Sequence, residues 1–137
     1  MSRLFAVAAL VALTGSVVFA TPAPAKEGVL ARVLTPISRT AEPGTKVTVV
    51  WTLYHLDAGK RVPFNASGVF IRLYGPAGSH STRVYATQPK PGRYRGVAAI
   101  PWGGVRRVVI GLMGTSCGTD GCRPSSAIFG IVGRALR

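Results

Sequence analysis

The sequence predicts an all-β fold: an immunoglobulin-like two-sheet sandwich of about seven strands, preceded by a cleaved signal peptide. Three observations predict it. Glycine and proline recur roughly every ten residues after residue 25, the turn rhythm of a sandwich. Between them stand short segments in which apolar and polar residues alternate with a period of two. No segment after Ala25 carries a helical period, and prolines interrupt every candidate, because proline removes a backbone donor and clashes inside a helix.

The export segment comes first. Arg3 gives a short positive start, and residues 4–20 are apolar apart from Thr14, Gly15 and Ser16. Small residues follow at the spacing a signal peptidase reads, Val18-Phe19-Ala20 or Ala23-Pro24-Ala25. A membrane span needs roughly 20 mostly apolar residues, and this run is shorter and broken by Thr-Gly-Ser. The expected division is a signal peptide over 1–25 and one sandwich domain over 26–137, with a secreted or periplasmic location. No further membrane anchor is expected after cleavage.

The strands are read in order. Residues 28–34 (GVLARVL) open the domain. Residues 45–56 (TKVTVVWTLYHL) are the strongest, with Val47, Val49, Trp51 and Leu53 on one face. Residues 57–66 (DAGKRVPFNA) read as a polar loop; the sequon Asn65-Ala66-Ser67 inside it is taken as a chance match. Residues 68–74 (GVFIRLY) place Val69, Ile71 and Leu73 inward and Phe70, Arg72 and Tyr74 outward. Residues 82–87 (TRVYAT) are short and suit an edge. Residues 92–100 (GRYRGVAAI) turn Tyr94, Ala98 and Ile100 in and Arg93 and Arg95 out. Residues 105–113 (VRRVVIGLM) follow, with Val108, Ile110 and Leu112 inward, and residues 127–132 (AIFGIV) close the domain.

From Lys90 to Met113 the chain carries Pro91-Gly92-Arg93-Tyr94, an alternating strand, Pro101, the turn Gly103-Gly104, and a second alternating strand. This pattern resembles secreted bacterial immunoglobulin-like domains of the YtkA-like kind. The family's aromatic residue after the glycine turn is replaced by Val105, and Trp102 stands before the turn. The resemblance implies the sandwich and an extracytoplasmic setting. It brings no catalytic residue. Related domains of similar build are linked to copper handling, so the resemblance also implies that copper is worth weighing.

Cys117 and Cys122 are the only cysteines, separated by Gly118-Thr119-Asp120-Gly121. An exported chain meets an oxidising compartment, where such a pair becomes a disulfide. Asp120-Gly121 signals a turn, which sets the two cysteines on facing strands within disulfide reach. A thioredoxin-like pair would need Cys-x-x-Cys at a helix start, and zinc would need four clustered ligands. Copper would draw on His55, His80 and Met113; the plainer reading leaves both histidines as exposed loop residues.

Catalysis finds no inventory. There is no Gly-x-Ser-x-Gly elbow, and the four acidic residues, Glu27, Glu42, Asp57 and Asp120, are scattered. No enzyme activity and no resident cofactor are expected, copper being the alternative. Charge is the remaining feature. Arginine outnumbers lysine thirteen to four, and the chain after Ala25 keeps 16 basic side chains against four acidic ones. Arg72, Arg93, Arg95 and Arg107 fall on outward strand positions near Tyr54, Tyr74 and Tyr85. Such a surface attracts polyanions. Export makes an anionic cell-envelope polymer or lipid headgroups the expected partner, rather than a dedicated nucleic acid. The competing reading is a charged surface that keeps sheet edges apart.

Overall fold

The computed structural model describes residues 28–76 and 80–137. The signal peptide expected over 1–25 lies outside the described residues. Alternation of apolar and polar side chains builds ten strands. They are β1 (Val29–Val33), β2 (Lys46–Asp57), β3 (Lys60–Pro63), β4 (Val69–Tyr74) and β5 (Ser81–Tyr85), then β6 (Thr87–Lys90), β7 (Arg93–Ala99), β8 (Arg107–Gly118), β9 (Gly121–Ile128) and β10 (Gly130–Ile131). The first sheet has the order β10-β1-β2-β7-β6, with β3 paired to the end of β2; the second has the order β5-β4-β8-β9. All pairs are antiparallel except β1 with β10. β1-β2-β7-β6 takes the A-B-E-D order of immunoglobulin sandwiches, and β4-β8-β9 takes C-F-G, with β5 added at the edge.

Three differences from the sequence reading have physical causes. Residues 57–66, read as a loop, contain β3, which folds back on β2 with Asp57 opposite Lys60. Ala58 and Gly59 both take positive φ there, 46° and 76°, as a two-residue hairpin turn of type I′ requires. β6 likewise has no counterpart among the strands read from the sequence. Its sequence TQPK is exposed at every position and pairs with β7 through its backbone and the Thr87 hydroxyl, which donates to the Arg95 carbonyl at 3.4 Å, so it leaves no apolar period. β8 does not stop at Met113, and β9 starts at Gly121 rather than near 127. The ribbon from Gly114 to Ser126 is exposed on both faces, so it has no core side to alternate toward.

The inward faces meet as expected. Val49, Trp51 and Leu53 of β2 pack with Ile71 and Leu73 of β4, Tyr94 and Ala98 of β7, and Ile110 of β8. Full burial of each large apolar side chain stabilises by roughly 1.5–3 kcal/mol. Trp51 and Tyr94 are cross-strand partners and stack with ring centroids 6.2 Å apart. Tyr94 reaches out of the core at its far end. Its hydroxyl donates to the Phe64 carbonyl and accepts from the Ala66 N–H, both at 2.9 Å. The loop from β3 to β4 is thereby tied across the end of the sandwich. Asn65 tightens the same end by accepting from the Gly92 N–H at 2.7 Å.

Candidate functional site: an arginine and aromatic face on the second sheet

Period two along β4 sends Ile71 and Leu73 into the core and Phe70, Arg72 and Tyr74 to the outer side. The neighbours are set by register. Phe70 stands opposite Tyr85 of β5 and Gly111 of β8, Arg72 opposite Arg83 and Val109, and Tyr74 opposite Ser81 and Arg107. The outer face is therefore a lattice of three arginines and three aromatic rings.

The rings hold the guanidinium groups. Arg107 lies 4.2 Å from the centroid of the Tyr74 ring, and Arg72 lies 5.2 Å from the same ring. Arg72 also donates from Nε to Ser81 Oγ at 3.1 Å. Arg83 sits between two rings, 5.7 Å from Phe70 and 5.6 Å from Tyr85, which meet each other edge to face. Contacts of this kind fix a cation's position while leaving its donors free, and each is worth about 0.5–1 kcal/mol at an exposed site. Phe70 can lie flat because residue 111 is glycine: a Cβ there would stand 2.5 Å from the ring's Cζ. The result is a buried Phe70 on a solvent-facing side, under an exposed Arg83.

Electrostatics sharpen the picture. No acidic residue occurs in β4, in β5 or in β8. Arg72 and Arg83 are direct cross-strand neighbours, an arrangement that like charges disfavour. The face presents unneutralised donors to solvent.

The four arginines singled out in the sequence are divided. Arg72 and Arg107 belong to this face. Arg93 and Arg95 lie on the outer side of the other sheet, opposite Thr52 and Val50. There, with Lys90, Val50 and Pro89, they line a shallow depression of about 340 Å³. Sequence reasoning missed Arg83 and Phe70 as members of the face. Arg83 shares its strand parity with Tyr85, and that signal was available.

The copper ligand set is not assembled. His55 lies near the end of β2, opposite Val29 and Val62. His80 lies just before β5, where its carbonyl accepts from the Gly75 N–H at 2.8 Å. Gly75 also abuts the Trp102 carbonyl, and the Trp102 loop flanks the start of β2 through the bond from Ile100 N–H to the Thr45 carbonyl. The two histidines thus sit toward opposite ends of β2, His55 among its last residues and His80 tied through Gly75 and the Trp102 loop to its start. The two residues are kept apart because β4 lies between them in the chain and carries it from one end of the sandwich to the other. Met113 sits on β8 opposite Ser126. Among the described residues no three His, Cys, Asp or Glu side chains cluster as metal ligands would.

Cys117 and Cys122 form a disulfide, with Cα atoms 4.0 Å apart, as a directly opposed pair of β8 and β9. The turn beyond it puts its positive φ, 103°, at Gly121. Comparison of the chain with protein-family models, curated proteins and solved structures finds no match.

Proposed function

We propose that this chain is an exported, non-enzymatic binding module whose arginine and aromatic face engages an anionic component of the cell envelope. One observation carries the reading. Arg72, Arg83 and Arg107 are held on Tyr74, Phe70 and Tyr85, on strands that contain no carboxylate. A solvated charging device does not require ring-stacked arginines, and two of these face each other at a repulsive cross-strand position. An arriving phosphate or carboxylate relieves that repulsion and takes planar, bidentate donors. Export rests on residues 1–25 and on the oxidised cysteine pair, and it agrees with the resemblance to YtkA-like domains.

The test is a titration with soluble polyphosphate at increasing salt. Affinity falls steeply with ionic strength, because exposed charges are screened. The double substitution Arg72→Glu with Arg83→Glu lowers affinity at least about tenfold, at roughly 1 kcal/mol per arginine. Arg93→Glu with Arg95→Glu has a smaller effect. Binding that ignores both salt and the first pair would end this reading.

A further inference from the structure

The chain has two tryptophans, and they are opposites. Trp51 is fully buried, while Trp102 is 74 % exposed. Trp102 is not on a loose loop. The Gly104 N–H donates to the Pro101 carbonyl at 3.0 Å, closing a four-residue turn with Trp102 and Gly103 at its centre. Gly103 takes φ +79°, as the third residue of a type II turn requires. A Cβ on Gly103 would stand 2.7 Å from the Pro76 ring, so the turn is packed flat against its neighbour. Pro101, Gly104 and Val105 are buried on either side. The fold holds an indole outward at the apex of a fixed turn.

Arginines gather beside it. Arg39, Arg106, Arg107 and Arg134 line a shallow depression of about 360 Å³, with Val108 and Leu136 among its apolar lining and no acidic residue. The backbone assembles it. Arg106 N–H donates to the Tyr74 carbonyl at 2.7 Å, and the segment ending at Arg137 pairs along Ile37 and Arg39. Trp102 and Arg106 are four residues apart, at most about 14 Å along the chain. Arg107 joins this pole to the arginine and aromatic face through its contact with Tyr74.

We infer that this pole docks on an anionic lipid bilayer. Trp102 enters the headgroup region, and Arg39, Arg106, Arg107 and Arg134 meet lipid phosphates. The inference rests on the polyanion reading above and names its partner. Two features favour a bilayer over a polymer. The indole stands at a convex apex, where a surface can receive it, and not along a track that a strand would follow. An interfacial tryptophan beside a basic cluster also combines buried apolar area with attraction to anionic headgroups, the two terms that set binding at a membrane surface.

The test uses the full exported protein with three probes: phosphatidylcholine vesicles, vesicles of equal parts phosphatidylcholine and phosphatidylglycerol, and soluble polyphosphate. Because Trp51 is buried, a change in tryptophan emission reports Trp102, and Trp102→Phe supplies the Trp51 baseline. The expected result is a blue shift and shielding from an aqueous quencher with the anionic vesicles alone. Trp102→Ala weakens vesicle binding about tenfold or more and leaves polyphosphate binding unchanged. Arg39→Glu and Arg106→Glu each weaken it by about fivefold or more. Thermal melting of Trp102→Ala should match the parent, since the side chain is exposed. Vesicle binding with no emission change and no loss in Trp102→Ala would overturn this inference and leave the polyanion reading standing. Failure to bind both polyphosphate and anionic vesicles would end both.

Discussion

Arg72 and Arg83 face each other across the β4–β5 pair with no acidic residue on either strand. Like charges at opposed positions cost stability, by a few tenths of a kcal/mol up to about 1. Arg83→Glu turns the pair into an attractive one. The new attraction to Arg72 offsets the two ring contacts that Arg83 gives up, so the variant should melt within a few degrees of the parent while binding polyphosphate more weakly. Binding lost with stability kept is the signature of a charge kept for a ligand. A parallel loss of both would mark Arg83 as structural.

Gly111 supports that face from below. A methyl group there would meet Phe70 and, at 2.7 Å, the Ala127 carbonyl of the next strand. Gly111→Ala should destabilise by about 1–3 kcal/mol through overpacking, read by urea denaturation. It should also weaken anion binding, because the ring beneath Arg83 is displaced. Gly114→Ala, with open space around it, serves as the control and should be near neutral.

Tyr94 links stability to alkaline pH. Burial raises its phenol above the ordinary value of 10.0, while the Ala66 N–H bond pulls modestly the other way. The folded state therefore holds this proton more tightly than the unfolded chain. Its contribution is fully present below about pH 10 and is lost as pH rises from there through the folded value. Tyr94→Phe should cost about 1–3 kcal/mol at neutral pH, from two lost hydrogen bonds, and should flatten the alkaline fall. Denaturation midpoints at pH 8 and above about pH 10 check both.

Ala58 holds a left-handed backbone at φ 46°, the only non-glycine residue to do so among the described residues. That conformation costs an L-residue about 1–2 kcal/mol. Ala58→Asn should stabilise by about 0.5–1 kcal/mol, since asparagine tolerates the region and suits the first position of a type I′ turn. A melting temperature that falls would contradict the turn assignment.

The disulfide clips a ribbon that makes no core. Replacing both Cys117 and Cys122 by Ser should cost at most about 2 kcal/mol, because so short a loop loses little chain entropy. Amide exchange should quicken in the solvent-exposed ribbon, 114–126, and stay unchanged at Trp51 and Ile71.

Much of the architecture was legible because burial imposes alternation. The strands holding Val49, Trp51, Ile71, Tyr94 and Ile110 carry their own pattern. β3 and β6 do not, because their pairing is by backbone and their side chains meet solvent. The site was half legible. Outward arginines can be read from parity, but parity does not say which sheet they face. Arg93 and Arg72 look alike in sequence and stand on opposite sides of the sandwich. The separation of His55 from His80 was equally hidden, since it depends on the direction in which β4 crosses the fold. Trp102 offered no period at all; only its turn and its exposure distinguish it.

The pairing of β10 with β1 has a kinetic consequence. Leu30 meets Gly130, and Ile37 meets Leu136, so contacts about a hundred residues apart in sequence complete one edge of the first sheet. Closing such a span costs chain entropy before any contact repays it, and topologies of this kind fold in milliseconds to seconds. Until residues 130–137 arrive, β1 offers an open, apolar edge to any passing strand. Under the export proposed above, a chain that crosses a membrane unfolded would pass through that half-built stage each time. Mutual repulsion among the arginines on both outer faces works against association of such unfinished copies.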